Sequence, residues 1–154
     1  MRIVESCGAT AIFLAAGAAG ADPVAVDFTA VSKSASAAYM TDKTNGVLSL
    51  TGTWEPVAAP GSPFDGISGD CFGSARMIAG RMTGDGYCGY KDKDGETLLI
   101  RWWLENTAAP VGSWLVAGGT GKWATASGGG AFADSEPDAN GVSKSHIVGT
   151  VDLK

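Results

Sequence analysis

A chain of 154 residues with 23 glycines and a formal charge of −5 at pH 7 has the length of one domain with a single core. The acidic balance, with no basic run anywhere, excludes the dense Lys/Arg surface that nucleic acid requires. The glycines fall between short apolar runs without a repeat, as in many strands joined by tight turns, so the expected class is all-β.

The chain opens with Arg2, an apolar alanine-rich run from Ala9 to Ala19, and the small-x-small site Ala19-Gly20-Ala21 before Asp22-Pro23. This reads as a secretory signal peptide over residues 1–21, too short for the roughly 20 apolar residues of a membrane span. A single domain, 22–154, is expected in the periplasm or medium, with no membrane association after cleavage. Removing the leader takes Cys7 with it and leaves Cys71 and Cys88 in an oxidising compartment, where they are expected to pair.

Val24, Val26 and Phe28 alternate with Ala25, Asp27 and Thr29, the period of a half-buried strand reaching Val31, and a polar small-residue stretch follows. Asn45-Gly46 signals a hairpin turn. Leu48, Leu50 and Trp54 then share one face of a strand ending at Glu55-Pro56, and Val57 to Asp65, with Pro60 and Pro63, must be a loop. In the centre, Asp94-Gly95 turns a second hairpin. A two-residue turn there, or a four-residue loop from Asp92, puts the same side chains on the same faces. One face carries Tyr87, Leu98, Ile100, Trp102 and Leu104, with Asp85 near its end. The other carries Cys88, Tyr90, Leu99, Arg101, Trp103 and Glu105. The first is the more apolar and is sent inward; the inverse assignment would bring Arg101 and Glu105 into the interior. With the first face inside, Asp85 and Tyr87 become the catalytic candidates, since burial raises a carboxylate's pKa toward general acid or base use. Gly84 and Gly86 beside Asp85 offer the plainer reading of a turn or strand end.

Ser113 to Ala117 and Trp123 to Ala133 flank a Gly-Gly-Thr-Gly-Lys turn, and Ile147, Gly149, Val151 and Leu153 alternate at the C-terminus. That makes eight or nine strands and no amphipathic helix of useful length. The expected architecture is a closed or nearly closed antiparallel β-barrel of about eight strands, calycin-like, whose interior holds side chains or one small ligand. Trp54, Tyr87, Trp102, Trp114 and Trp123 are the candidate ligand contacts, because Trp combines a large apolar surface with one N–H donor. The competing use of five tryptophans in a chain this small is core and interface packing.

Other chemistries lack their residues. A phosphate-binding loop needs glycine where Val116 stands and a hydroxyl where Trp123 follows Lys122. A serine hydrolase would depend on His146 without a nucleophile elbow, and one histidine with a cystine cannot fill a usual zinc site. Asp92-Lys93-Asp94-Gly95-Glu96 begins like a calcium loop but misplaces its glycine. No metal or cofactor is expected.

Leu115-Val116-Ala117-Gly118-Gly119-Thr120-Gly121-Lys122-Trp123, followed by small residues to Gly128, resembles the GGTG(K/R)F segment of plant dirigent proteins and the GGSGxF segment of allene oxide cyclases. More diffusely, Gly69 to Glu105 resembles small exported bacterial proteins related to that barrel. The resemblance implies a small antiparallel barrel with a central apolar pocket, assembled as a homotrimer. Ala126-Ser127-Gly128 stands where dirigent proteins carry Ala-Arg-Gly, so their pocket arginine is not carried over. The cyclase's glutamate, proline and cysteine have no matching positions either. Leu50-Thr51-Gly52-Thr53-Trp54 also resembles the Gly-x-Trp opening of lipocalins and avidins, again ligand-holding barrels. Two functions follow as expectations: binding of an apolar or aromatic small molecule, or a lyase, isomerase or cyclase reaction on such a molecule inside the barrel.

Overall fold

The computed structural model describes residues 22–109, 111–135 and 137–154; the expected leader, with Cys7, lies outside them. The described residues form eight strands: β1 (Val24–Met40), β2 (Gly46–Val57), β3 (Ser68–Ile78), β4 (Arg81–Lys91), β5 (Thr97–Thr107), β6 (Val111–Gly119), β7 (Ser127–Asp134) and β8 (Val142–Asp152). Each pairs antiparallel with the next, and β8 returns to β1, so the sheet closes into a barrel. The only helical piece among the described residues is a single 3-10 turn, Gly121–Trp123.

β1 runs nine residues past the expected Val31 end. Its small residues, Ser32 to Ala38, carry little strand preference of their own, but pairing with β2 from Thr29 to Met40 overrides it. Pairing with β8 stops at Lys33, so the far half of β1 stands with β2 as a tall wall on one side of the barrel. The hairpin above it is a five-residue loop, 41–45, gathered by Asp42 Oδ1, which accepts the Thr44 backbone N–H at 2.7 Å and Asn45 Nδ2 at 3.0 Å. Asn45-Gly46 is the exit of that loop rather than its centre. The β3–β4 turn is tighter, Ala79-Gly80, with φ of 51° and 75°, the left-handed pair that a two-residue hairpin demands.

The central hairpin corrects the expected facing. Lys91 pairs with Thr97, so the loop between β4 and β5 has five residues, Asp92 to Glu96. An odd loop shifts the register by one, and a one-residue shift exchanges the two faces of one strand relative to the other. Cys88 and Tyr90 therefore join Leu98, Ile100 and Leu104 in the buried interior, with Trp102 half-buried beside them. Asp85 and Tyr87 lie outside, opposite Trp103 and Arg101.

The interior is filled by pairing wide side chains with absent ones. Gly73 and Gly86 face each other across β3 and β4, and the Trp102 indole lies over both: a Cβ at either position would collide with its six-membered ring. The Phe132 ring occupies the same kind of slot over Gly112. Interior glycines thus set how far an aromatic ring can reach across the barrel.

Candidate functional site

One end of the barrel is plugged. Phe64 and Ile67, from the proline-rich loop after β2, and Trp123, from the 3-10 turn, are 5%, 3% and 0% exposed, and Phe64 stacks at 5.4 Å between Phe28 and Trp123. A clasp holds this plug. Asp92 Oδ1 accepts the backbone N–H groups of Asp94 and Glu96 at 3.0 and 2.9 Å, while Oδ2 accepts Trp123 Nε1 at 3.1 Å and the Lys122 ammonium at 2.5 Å. Lys122 and the other donors hold the Asp92 carboxyl at about 2 against the opposing effect of burial, and Asp92 in turn raises the Lys122 ammonium. Glu96 Oε2 accepts the Lys122 backbone N–H, and Thr120 ties to Thr97 through both backbone and hydroxyl. The Gly-Gly-Thr-Gly-Lys segment and the charged Asp92–Glu96 loop are therefore two halves of one fastening.

The opposite end has no such plug: in loops 41–45, 79–80, 108–109, 135 and 137–141, no described residue is buried. Between the ends lies a cavity of about 200 Å³. Its walls include Phe28, Trp54, Ile100, Trp102, Trp114 and Phe132, together with the Cys71–Cys88 disulfide, which joins directly paired residues of β3 and β4. The Trp114 indole N–H donates to the Val148 carbonyl at 3.2 Å, whereas the N–H groups of Trp54 and Trp102 donate to no described residue.

Few polar groups reach this space. The Tyr90 hydroxyl lies 3.7 Å from Cys71 Sγ, and burial pushes the phenol well above its ordinary value. Toward the unplugged end, Asp134 of β7 faces Ser145 of β8, whose hydroxyl donates to Asp134 Oδ1 at 2.5 Å. The neighbouring rung holds Ser32 and Ser143, their hydroxyls 2.7 Å apart. Burial raises the Asp134 carboxyl above the usual carboxylate range, and the Ser145 hydrogen bond offsets only part of this.

Of the residues singled out in the sequence, Trp54, Trp102 and Trp114 line the cavity. Trp123 does not; it is the buried centre of the plug, because the glycine turn continues into a 3-10 turn before β7 begins. Asp85 and Tyr87 are on the outer surface for the register reason above. There Asp85 Oδ2 lies 3.7 Å from Arg101 Nη2, and Tyr87 packs near Phe72, itself 57% exposed. His146 is also outside, its Nε2 2.9 Å from Asp27 Oδ1. Asp134 and Ser145 were missed, although a signal existed. Ser143 and Ser145 have the parity of Ile147 and Val151 on β8, and Asp134 that of Phe132 on β7: polar residues on the apolar face of an alternating strand.

Among the described residues, no group of three or more His, Cys, Asp or Glu side chains is placed to hold a metal ion, and no helix is long and apolar enough to cross a membrane. No protein-family model and no curated protein matches the chain in sequence. In structure it is similar to the pterocarpan synthase dirigent protein GePTS1, with a TM-score of 0.53 and 14% identity over 96% of this chain and 98% of that one. It is also similar to a pyocyanin demethylase, with a TM-score of 0.46 and 14% identity over 80% of this chain and 99% of that one. The closed eight-stranded sheet and the likeness to the dirigent protein give the fold as that of the small dirigent-like barrels.

Proposed function

We propose that this barrel binds an apolar, ring-bearing small molecule in its cavity. The observation that carries the reading is a space of about 200 Å³ walled by tryptophan and phenylalanine yet given one carboxyl group, Asp134. A packed core has no use for a carboxyl without a built-in cation, and ligand sites combine apolar walls with a few placed polar groups. The space exceeds the roughly 150 Å³ that holds benzene in an engineered cavity, which suits one or two rings. The similarity to a pterocarpan synthase dirigent protein supports the same ligand class. Export before folding, with cleavage near Ala21, is part of the proposal and agrees with the Cys71–Cys88 disulfide. Incubating the oxidised protein with a mixed small-molecule extract and identifying retained compounds by mass spectrometry tests it. Retention of aromatic compounds, reduced by Trp102→Ala, is the expected result; no retention overturns it.

A second reading, a lyase, isomerase or cyclase reaction on the bound molecule, is favoured by Asp134 alone. A carboxyl raised by burial and touching Ser145 is suited to give and take a proton in an apolar space. Conversion of a retained compound by the wild type but not by Asp134→Asn would select this reading.

A further inference from the structure

Asp92 and Asp134 are both acidic side chains in apolar surroundings, and the chain treats them differently. Asp92 has its counter-cation built in, the Lys122 ammonium at 2.5 Å, with three N–H donors besides. Asp134 has one serine hydroxyl on Oδ1, no described hydrogen bond to Oδ2, and no part in any ion pair of the described residues. No lysine, arginine or histidine lines the cavity, where Asp134 and Tyr90 are the titratable side chains. A desolvated carboxylate without a cation is costly to hold, and a single neutral hydrogen bond does not neutralise it.

We infer that the cavity is built for an organic cation: a one- or two-ring molecule whose ammonium or quaternary nitrogen supplies the counter-charge that Asp134 lacks, and whose rings lie among Trp54, Trp102 and Phe132. This rests on the reading of the cavity as a ligand site. Aromatic walls are compatible with such an occupant, since aromatic rings attract cations and offset part of the cost of taking the cation out of water, while Asp134 supplies the preference over a neutral molecule of the same shape. A ligand carboxylate meets the reverse, a like charge in a space with no cation to offset it. A ligand hydroxyl would satisfy Oδ2 but leave the charge uncompensated.

Calorimetric titration of the oxidised full chain at pH 7.5 with three probes on one naphthyl ring system tests the inference: naphthalen-2-ylmethylammonium, its isosteric alcohol naphthalen-2-ylmethanol, and 2-naphthoate. The ammonium should bind about tenfold more tightly than the alcohol, equivalent to about 1.4 kcal/mol, and the naphthoate should bind most weakly. In Asp134→Asn the ammonium should fall to the level of the alcohol, whose own affinity stays within about twofold. Alcohol or naphthoate binding as well as the ammonium in the wild-type protein, or an ammonium preference that survives Asp134→Asn, overturns the cation inference and leaves the cavity reading standing. Binding of none of the three removes the cavity reading and the inference with it.

Discussion

The two ends of this barrel use the same residue type to opposite purposes. At the plugged end an aspartate is surrounded by donors from two chain segments and by a lysine, so that its charge is spent inside the protein and fastens Trp123 over the end of the core. At the unplugged end another aspartate, half-buried, receives one hydroxyl and no cation. A carboxylate whose interactions are complete contributes to folding; one whose interactions are incomplete costs stability and is available to something else. The difference separates structure from candidate function within one closed sheet.

The largest effects should come from the fastening. Asp92→Ala leaves the Trp123 indole N–H and two backbone N–H groups without their acceptor and Lys122 without its partner, and should destabilise by about 3–5 kcal/mol in urea unfolding. Trp123→Ala should cost about the same, as for buried aromatic residues generally. Trp102→Ala should fall short of that range, because the Trp102 side chain has cavity rather than packed atoms on one side. Equal losses at Trp102 and Trp123 would mean that the space beside Trp102 closes, and the contrast between the ends would fail.

The barrel itself was legible because its signals are local: alternation on β1, β2 and β8, and glycines between apolar runs. The glycine-rich segment pointed to the right fold for a reason the sequence did not disclose, since Lys122 and Trp123 serve a loop 26 or more residues away. The facing of the central hairpin was not legible, because a two- or four-residue loop within Asp92-Lys93-Asp94-Gly95-Glu96 is as plausible as the five-residue one, and only the odd length puts Asp85 and Tyr87 outside while Leu98, Ile100 and Leu104 stay inside. What decides it is Asp92 accepting the Asp94 and Glu96 backbone N–H groups, with its other oxygen committed to Trp123 and Lys122. Asp134 and Ser145 become a pair only once β7 and β8 are in register.

Acid titration should give the two aspartates slopes of opposite sign. Asp92 is held at about 2 in the folded chain, below its ordinary 3.8, so the unfolded chain binds the proton first. Its stabilisation is complete above about pH 4 and is lost as the pH falls toward 2. Asp134 is raised in the folded chain, so the folded state binds its proton first. Its favourable contribution is present below 3.8 and disappears as the pH rises through the raised value. Unfolding free energies measured between pH 2 and 7 should therefore show a shallower acid limb in Asp92→Ala, the remainder coming from Asp42 and Asp138, which backbone N–H donors also lower. In Asp134→Asn they should instead lose a shallow decline on the neutral side, each slope staying below about 1.4 kcal/mol per pH unit for one proton.

The smallest effect carries the comparison furthest. Asp134→Asn keeps the shape of the side chain and its contact with Ser145 while removing the charge. At pH 7 without ligand it should leave stability within about 1 kcal/mol of the parent and on the stabilising side, since a charge without a cation is being replaced by a neutral amide in the same surroundings. A residue kept for folding would show the reverse, a loss comparable with Asp92→Ala. Urea midpoints of the two variants measured side by side decide between these. A large loss in Asp134→Asn would move this carboxylate from the ligand cavity into the folding core, and the two ends of the barrel would no longer differ in kind.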